Sequence, residues 1–485
     1  MKFVGAQDTA GPWDVVVVGS GFGSLFFLKR FLALRPRARV LVLERGRHND
    51  AAWQLANNAN ADIAHDATFV NESGKEWIFT VGLGGSTNCW WALAPRLHPS
   101  DFTLKSRHGV GADWPLSYDD LVPYYEDAER IMLVAGPDDL GGVFPGTRGY
   151  PQPPHALSTV DEILRRRPGH MHHRIPCARL TRAVEGRGRC CASAVCNLCP
   201  TGAKFTALNG LADVLGHPGV SICTEAEVRT LEVAGGRVTG AAFVHAGRDH
   251  RVRGDLVVLG ANAIFNPWIL MRSGVTGGHG LGGYFGEKMY VHVPVLLDGV
   301  DGFDGGTAST CFNLARLDTP QRGTMGSVVY YFDNMVASHG LRMTPGRWRQ
   351  IQHISLYVED VLRLEDGVVD DGGPMPTVRH AGFSDYAMRG MRAAIDALPD
   401  VLAGLPVESV GESFIRPAMG HLQGTTRMGV SAADSVVDAD LLHHTHRNLV
   451  VVGTSVFPTM GSVNPSLTAA ALSLRAAERL AGRLT

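Results

Sequence analysis

The sequence predicts an α/β fold: a domain built on a mostly parallel sheet and assembled from discontinuous segments, with an α+β domain on a largely antiparallel sheet inserted between them. Three observations predict it. The N-terminus reads strand, Gly-rich turn, helix, strand. From about Val291 to Ala418 the composition shifts to alternating or β-branched pieces. After that stretch, a strand and a long Ala- and Leu-rich helix restore the α/β pattern. At 485 residues and 52.1 kDa, with 45% hydrophobic residues, the chain is long enough for two domains with sizeable cores.

Val15 to Val18 form a short apolar strand running into GSGFGS, followed by a helix-compatible stretch from Leu25 to Leu34 and a second strand from Arg39 to Glu44. This succession opens a Rossmann-like dinucleotide-binding unit. Gly19 permits the tight turn, and Gly21 lets backbone amides approach a pyrophosphate at the helix N-terminus. Glu44, ending the second strand, is placed to accept hydrogen bonds from an adenosine ribose. Phe22 and Arg45, beside these positions, belong to the expected cofactor contacts. The third fingerprint position is Ser24 rather than Gly, with Gly23 just before it; serine is still small enough for close helix–strand packing. A second Gly-rich segment spans Val81 to Arg96. There Gly84 and Gly85 offer bare backbone and Asn88 an amide. Trp90 and Trp91 are costly to leave on a surface, so they are expected to line a cavity or pack beneath the cofactor.

Asp113 to Arg130 reads as a turn and an amphipathic helix, and residues 136–165, rich in Gly and Pro, as an irregular excursion. Phe205 to Leu215 reads as helix, with strands near Ser221–Cys223, Val228–Val233, Ala241–Val244 and Leu256–Leu259. Val257 to Gly274 combines strand, small-residue turn and helix, as where a parallel sheet returns to its nucleotide. VHVPVLL, GSVVYYF and HISLYVEDVLRL then supply the antiparallel sheet and the substrate wall, with a helix from Tyr386 to Leu398. Asn448 to Gly453 is the last strand and Ser466 to Leu480 the last helix. The nucleotide domain is therefore expected from 1–135, 176–290 and 419–485, and the substrate domain from 136–175 and 291–418. No internal repeat, coiled coil or low-complexity tract interrupts this plan.

The formal charge of -2, the pI near 6.9 and the lack of a basic run exclude a nucleic-acid surface. The opening MKFVGAQDTAGPWD has no long apolar stretch, so neither a secretory signal nor membrane insertion is expected. A cytoplasmic location is the default, while export with a signal-bearing partner would leave no mark on this chain. Four of the eight cysteines, Cys190, Cys191, Cys196 and Cys199, fall within ten residues. That density suits a metal or redox device better than a disulfide-stapled fold. Adjacent cysteines rarely both reach one zinc ion, whereas a larger cluster accepts them at separate irons. His170, His172 and His173, beside a Pro-Gly pair, and His443, His444 and His446, in a polar turn, are expected to be solvated. Tyr330, Tyr331 and Phe332 either stack on a sugar or fill a core.

Two C-terminal stretches carry the chemistry: HLQGTTRMG, beginning at His421, and GSVNPSLT, holding Asn464. One offers an imidazole and the other an amide, among glycines that let backbone approach a flat ligand. Oxidising a carbinol requires that its proton be taken and its alkoxide held, and these two side chains can do both. Read alone, they are equally a pair of ordinary polar loop residues.

Together the N-terminal loop, GLGGSTNCW, WPLSYDDLVPYYEDAE, VVLGANAIFNPWILMRSG and the block HLQGTTRMG…NLVVVGTSVFPTMGSVNPSLTAAALSLRAAERL resemble the glucose–methanol–choline (GMC) oxidoreductases, from about Trp13 to Ala481. The resemblance implies FAD and oxidation of an alcohol or sugar hydroxyl. It makes His421 the general base and Asn464 the second catalytic residue, with hydride passing to flavin N5. Val228, Gly453, Thr454 and Pro465 join Asn464 as implied cofactor contacts. A neutral imidazole is required, so kcat/KM falls at low pH. No histidine stands in GGSTNCW where some members attach flavin, so non-covalent FAD is expected. CCASAVCNLCPTGAK is similar to the bacterial FAD sugar dehydrogenases with a [3Fe-4S] cluster, implying ligands Cys190, Cys191 and Cys196. Cys199, a candidate fourth thiol, comes one residue early for that subfamily, and many GMC proteins have a CPxGAK loop without a cluster. The implied partners are a small sugar, glycoside or alcohol, a cytochrome or similar acceptor protein, and a small accessory subunit. The alternatives are an alcohol oxidase with structural cysteines, a dehydrogenase of aminosugar or natural-product intermediates, and a non-enzymatic nucleotide-binding module.

Overall fold

The valines of the first strand, Pro12–Val18, are buried on both faces, as the middle of a parallel sheet requires. In the computed structural model, which describes residues 1–278, 280–334 and 346–481, this strand pairs in parallel with Val40–Leu43 and with Arg248–Leu259. Val220–Cys223 extends the sheet beyond Val40–Leu43, and Leu449–Val451 lies parallel to the last residues of Arg248–Leu259. The first half of Arg248–Leu259 instead pairs antiparallel with Arg237–His245, which pairs with Glu227–Ala234. One long strand thus belongs to both a parallel sheet and an antiparallel meander. The helix Ser466–Ala481 packs against Phe22–Leu34 and Val122–Met132. Only Glu478 and Arg479 among its residues are exposed, so it is an interior helix rather than a surface one.

The second sheet is antiparallel, in the order Val407–Val410, Met289–Leu297, Ile351–Val358, Val328–Asp333, Ser309–Arg316 and His172–Arg174. Side-chain alternation gives each face a different task. On Val328–Asp333, Tyr330 and Phe332 join a core that includes Ala387 and Ala394 of the helix Asp385–Asp396, while Val329 and Tyr331 join the core shared with the nucleotide side. The α/β class, the discontinuous parallel-sheet domain and the inserted antiparallel domain are those the sequence predicts. A small third sheet joins Gly367–Val369, Thr377–Arg379 and Val70–Asn71. No helix of the described residues is long and apolar enough to cross a membrane.

Several local expectations are corrected. Phe205 to Leu215 is two short helices, Ala207–Gly210 and Ala212–Leu215, because Leu211 leaves helical geometry at φ -127°. HISLYVEDVLRL stops being strand at Val358, where Glu359 and Asp360 turn to side-chain partners. The irregular stretch 136–165 ends in a helix, Thr159–Arg165, with a Ser158–Asp161 capping box. His172 is not solvated: it is 1% exposed, pairs in the second sheet and meets Asp161 Oδ1 through Nε2 at 2.8 Å. His443, also 1% exposed, bonds the Thr276 carbonyl through Nε2 at 3.0 Å.

Candidate active site

The first Gly-rich turn is shaped by what surrounds it. Gly19 has φ 84°, and a Cβ there would lie 2.6 Å from the Gly260 carbonyl oxygen, so the turn tolerates nothing larger. Gly21 caps the helix Phe22–Leu34, and a Cβ there would meet no protein atom within 4 Å. Across from it, a Cβ on Gly85 would stand 3.0 Å from Gly21 Cα. Backbone therefore walls a groove at a helix N-terminus, the setting that holds a pyrophosphate. Gly453, at φ 97°, is likewise open on its Cβ side. The helix is seated closely on the other side: a Cβ on Gly23 would come within 2.6 Å of Gly453 N. Ser24 is accommodated because its neighbour is Gly260, where a Cβ would approach Ser24 Oγ to 2.2 Å. The room that the fingerprint's third glycine would provide is supplied just past the facing strand.

Glu44 ties this turn together. Its Oε2 accepts from Ser20 N at 3.0 Å and Ser20 Oγ at 2.5 Å, and its Oε1 from Gly46 N at 2.9 Å. Burial pushes its carboxyl up, against the opposing pull of those donors. Ser20 Oγ in turn accepts from Gly84 N at 3.0 Å, joining the two Gly-rich loops. Arg45 pairs with Glu227 at 3.3 Å and lies 5.0 Å over the Phe265 ring, while Val228 sits in the strand Glu227–Ala234 opposite Phe243. Thr454 Oγ1 donates to the Leu422 carbonyl at 2.5 Å, and Pro465 is buried next to Asn464. Asn88 Nδ2 donates to Leu83 O at 2.9 Å while its Oδ1 is buried without a partner. An orphaned acceptor of this kind beside open backbone suits a ligand that brings its own donor. Phe22 meets Trp90 edge-on at 4.7 Å, but Trp91 is 39% exposed, contrary to the expectation that both tryptophans turn inward.

His421 and Asn464 meet. Asn464 Nδ2 lies 3.3 Å from His421 Nε2, and Asn464 Oδ1 accepts from the Tyr331 hydroxyl at 2.9 Å. With Oδ1 turned to the phenol, the NH2 group faces the imidazole, and in this orientation Nε2 accepts. Nε2 is then the unprotonated nitrogen, and the proton sits on Nδ1, which is buried without a partner. Tyr357 completes the wall, its ring 4.1 Å from that of Tyr331 and 6.0 Å from that of His421. Glu287 holds the loop from behind, accepting from Met419 N at 3.1 Å and His421 N at 3.0 Å while paired with Lys75. Burial, and after it the charge of Lys288, holds the His421 imidazole well below its ordinary range. Lys288 is itself fully buried with no hydrogen-bond partner for Nζ, and burial brings its ammonium down to about 7.

Of the cysteines in the CC-x4-C loop, Cys191 is exposed, Cys190 half-buried and Cys196 buried; all are free thiols. Cys196 Sγ accepts from the Arg179 guanidinium at 3.2 Å, and Cys190 Sγ lies 3.5 Å from Thr307 Oγ1. Cys199, half-buried, accepts from Lys204 N at 3.5 Å. The loop is sewn to the second Gly-rich loop, since Lys204 Nζ donates to Asn88 O at 2.5 Å and to Asn197 O at 3.1 Å. Among the described residues the group with single-ion spacing lies elsewhere: Asp161, His172 and Cys311, with donor atoms within 4.8 Å of one another. Asp161 there already accepts from His172, Ser158 and Thr310, so its carboxylate is committed as a hydrogen-bond hub. The buried Arg179 beside Cys196 and Cys190 is the feature that fits an anionic iron–sulfur centre.

Sequence reasoning misses Tyr331 as the clamp on Asn464, Glu287 as the backbone anchor, and Lys288 and Arg179 as buried cations. The YYF run does mark Tyr331, though not which face it takes. For the other three, nothing in local composition separates them from ordinary charged residues.

A nucleotide groove of bare glycines, a parallel sheet closed by C-terminal pieces and a facing His–Asn pair define an oxidoreductase. The chain belongs to the GMC oxidoreductases: models of that family match residues 63–293 and 375–473, and the protein is an FAD-dependent enzyme. It is 28% identical to 6'''-hydroxyparomomycin C oxidase of Streptomyces lividus, over 97% of this chain and 92% of that one. It is also 28% identical to the fructose dehydrogenase large subunit of Gluconobacter japonicus, over 96% of this chain and 97% of that one. The crystal structure of pyridoxine 4-oxidase from Mesorbium loti shares the fold, with TM-score 0.68 at 20% identity, covering 96% of this chain and 99% of that one.

Proposed function

We propose that this protein oxidises a hydroxyl group of a sugar, glycoside or related polyol to a carbonyl, with His421 as the base and Asn464 as the group that holds the substrate oxygen. The observation that carries this is the 3.3 Å approach of Asn464 Nδ2 to His421 Nε2, the ring nitrogen left unprotonated in this assignment. In the resting arrangement the amide occupies the lone pair of Nε2. A substrate hydroxyl placed between the two donates to Nε2 and accepts from Nδ2. His421 Nε2 then takes the hydroxyl proton, and the amide N–H stabilises the charge that develops on oxygen. Tyr331 keeps the amide from flipping its carbonyl toward that oxygen. FAD, bound by Gly19, Gly21, Glu44, Gly84, Gly85, Asn88, Gly453 and Thr454, supplies the hydride acceptor. A sugar or related hydroxyl is favoured because the named relatives act on a paromomycin derivative and on fructose.

The test is anaerobic flavin bleaching across sugars, glycosides and simple alcohols, followed by single-turnover measurements on His421→Ala. A loss of about 10²–10⁴-fold in flavin reduction with FAD still bound is expected from removing a general base. An unchanged rate would reject His421 in that role.

A cluster held by Cys190, Cys191 and Cys196 supplies one-electron exchange with a cytochrome or similar acceptor, which makes the enzyme a dehydrogenase. Supporting this reading are the CC-x4-C spacing, the exposed Cys191 and the attachment of the loop to the Asn88 loop. Cys199 is read as structural, its sulfur being committed to the Lys204 amide. Iron and acid-labile sulfide on anaerobically reconstituted protein decide it. Iron well below one cluster per chain would leave an oxidase with structural cysteines.

A further inference from the structure

We infer that Arg179 is the built-in counter-charge of the cysteine site and raises the reduction potential of the iron–sulfur cluster bound there, an inference that rests on the cluster reading above. Arg179 is 1% exposed, and it differs from the two other fully buried arginines. Arg96 is clamped by both oxygens of Glu129 at 2.8 Å, and Arg322 by Asp101 and Glu359. Among the described residues no carboxylate lies within 4.0 Å of Arg179. Its guanidinium donates instead to the Trp91 carbonyl at 3.0 Å, to Cys196 Sγ at 3.2 Å and to the Ser309 carbonyl at 3.4 Å. Asp333 feels its charge without touching it, spending its own oxygens on the Ser309 and Ser355 hydroxyls.

A buried cation without an anion is costly, so a chain that keeps one is matched to a negative group nearby. The groups arranged around this guanidinium are sulfurs: Cys196 in contact, with Cys177 and Cys190 as its other electrostatic partners. Against its burial, His155 and Arg179 bring the Cys177 thiol down to about 6, which gives the guanidinium one negative neighbour. Thiolates ligating iron at Cys190 and Cys196 would add to it, with Cys196 in direct contact. The same contact has a redox consequence. Each electron received at the cysteine site adds one negative charge there, and a fixed cation donating to a ligand sulfur favours the more negative state. Trp91 and Ser309 hold the guanidinium in place, so it cannot swing away when the charge changes.

The experiment is an anaerobic redox titration of reconstituted holoenzyme, followed by electron paramagnetic resonance of the cluster and by flavin absorbance. Wild type is compared with Arg179→Gln, which keeps donors without charge, and Arg179→Lys, which keeps charge without the fork. The cluster midpoint is expected to move to more negative potential in both, further in Arg179→Gln, while the flavin midpoint stays in place. A cluster present at full iron content with an unmoved midpoint in both variants would overturn the role of Arg179 and leave the cluster reading standing. Wild-type protein that takes up no cluster would overturn both. If Arg179→Gln does not fold, Arg179→Met, which also removes the charge, takes its place with the same two outcomes.

Discussion

At the scale of single residues, the site is governed by which nitrogen of His421 is free and at what pH it stays free. In the proposed role only the neutral imidazole acts as base, and its pKa is depressed, so activity is expected to be retained at neutral pH and lost as pH falls through that depressed value. Burial is the larger cause and Lys288 the smaller. The Lys288 ammonium itself titrates at about 7, so its charge is present on the acid side, where His421 titrates. Replacing Lys288 by Met removes a positive neighbour, favours the imidazolium and should move the acidic limb of kcat/KM to higher pH. A limb at the wild-type position would show that burial alone sets it. Tyr331→Phe should lower the rate of flavin reduction about 10-fold or more by freeing the Asn464 amide, on the scale seen when a donor to a developing oxyanion is lost or misdirected. Steady-state rates with a good substrate, alongside unaltered FAD content, would check this. His421 and Asn464 were legible from sequence because glycine-rich, family-specific stretches enclose them. Tyr331 was only half legible, since a strand run shows alternation but not which core each face meets. Glu287 and Lys288 were illegible, because what distinguishes them is burial, which depends on chain far away in sequence.

At the scale of elements, the nucleotide turn shows why a motif can lose a glycine and keep its geometry. Ser24 replaces the third glycine, and Gly260, just past the facing strand Arg248–Leu259, gives back the volume. Gly260→Ala should therefore be worse than its small size suggests, because the added methyl is forced onto Ser24 Oγ and Val452. A destabilisation of about 1–3 kcal/mol is expected for such overpacking, readable as a lower denaturant midpoint, and Ser24→Gly in the same chain should recover part of it. No recovery would mean that the helix and strand are not seated through this pair. Elements with strong local signals, such as Val15–Val18 and Ser466–Leu480, were readable directly. The Phe205–Leu215 helix was misread because Leu211 breaks it under packing demands that periodicity does not record.

At the scale of the whole molecule, the inserted domain is bolted to the nucleotide side by a buried ionic cluster. Arg322, just ahead of the strand Val328–Asp333, clamps Asp101 from the N-terminal part and Glu359 from its own domain, with all three side chains fully buried. Removing the cation strands two buried carboxylates. Arg322→Leu should cost about 3–5 kcal/mol and detach the Tyr331 wall from the His421 loop, visible as a lower melting temperature. A variant as stable as wild type would mean that apolar packing alone joins the domains. The Arg322 pairing holds Glu359 below its ordinary pKa, so its share of stability is present above the usual carboxylate range and is lost as pH falls through the depressed value.

The strand Leu449–Val451 and the interior helix Ser466–Ala481 have a consequence for how the enzyme is made. Both are synthesised after nearly everything they pack against, and His421 and Asn464 come late as well. During translation the first two strands can pair early, but the groove beside Gly23 lacks the Gly453 backbone until the end. A nascent chain that has not yet made Gly453 therefore carries the glycine turn without one of the walls beside it. Closing the groove is left to segments made long after the turn itself.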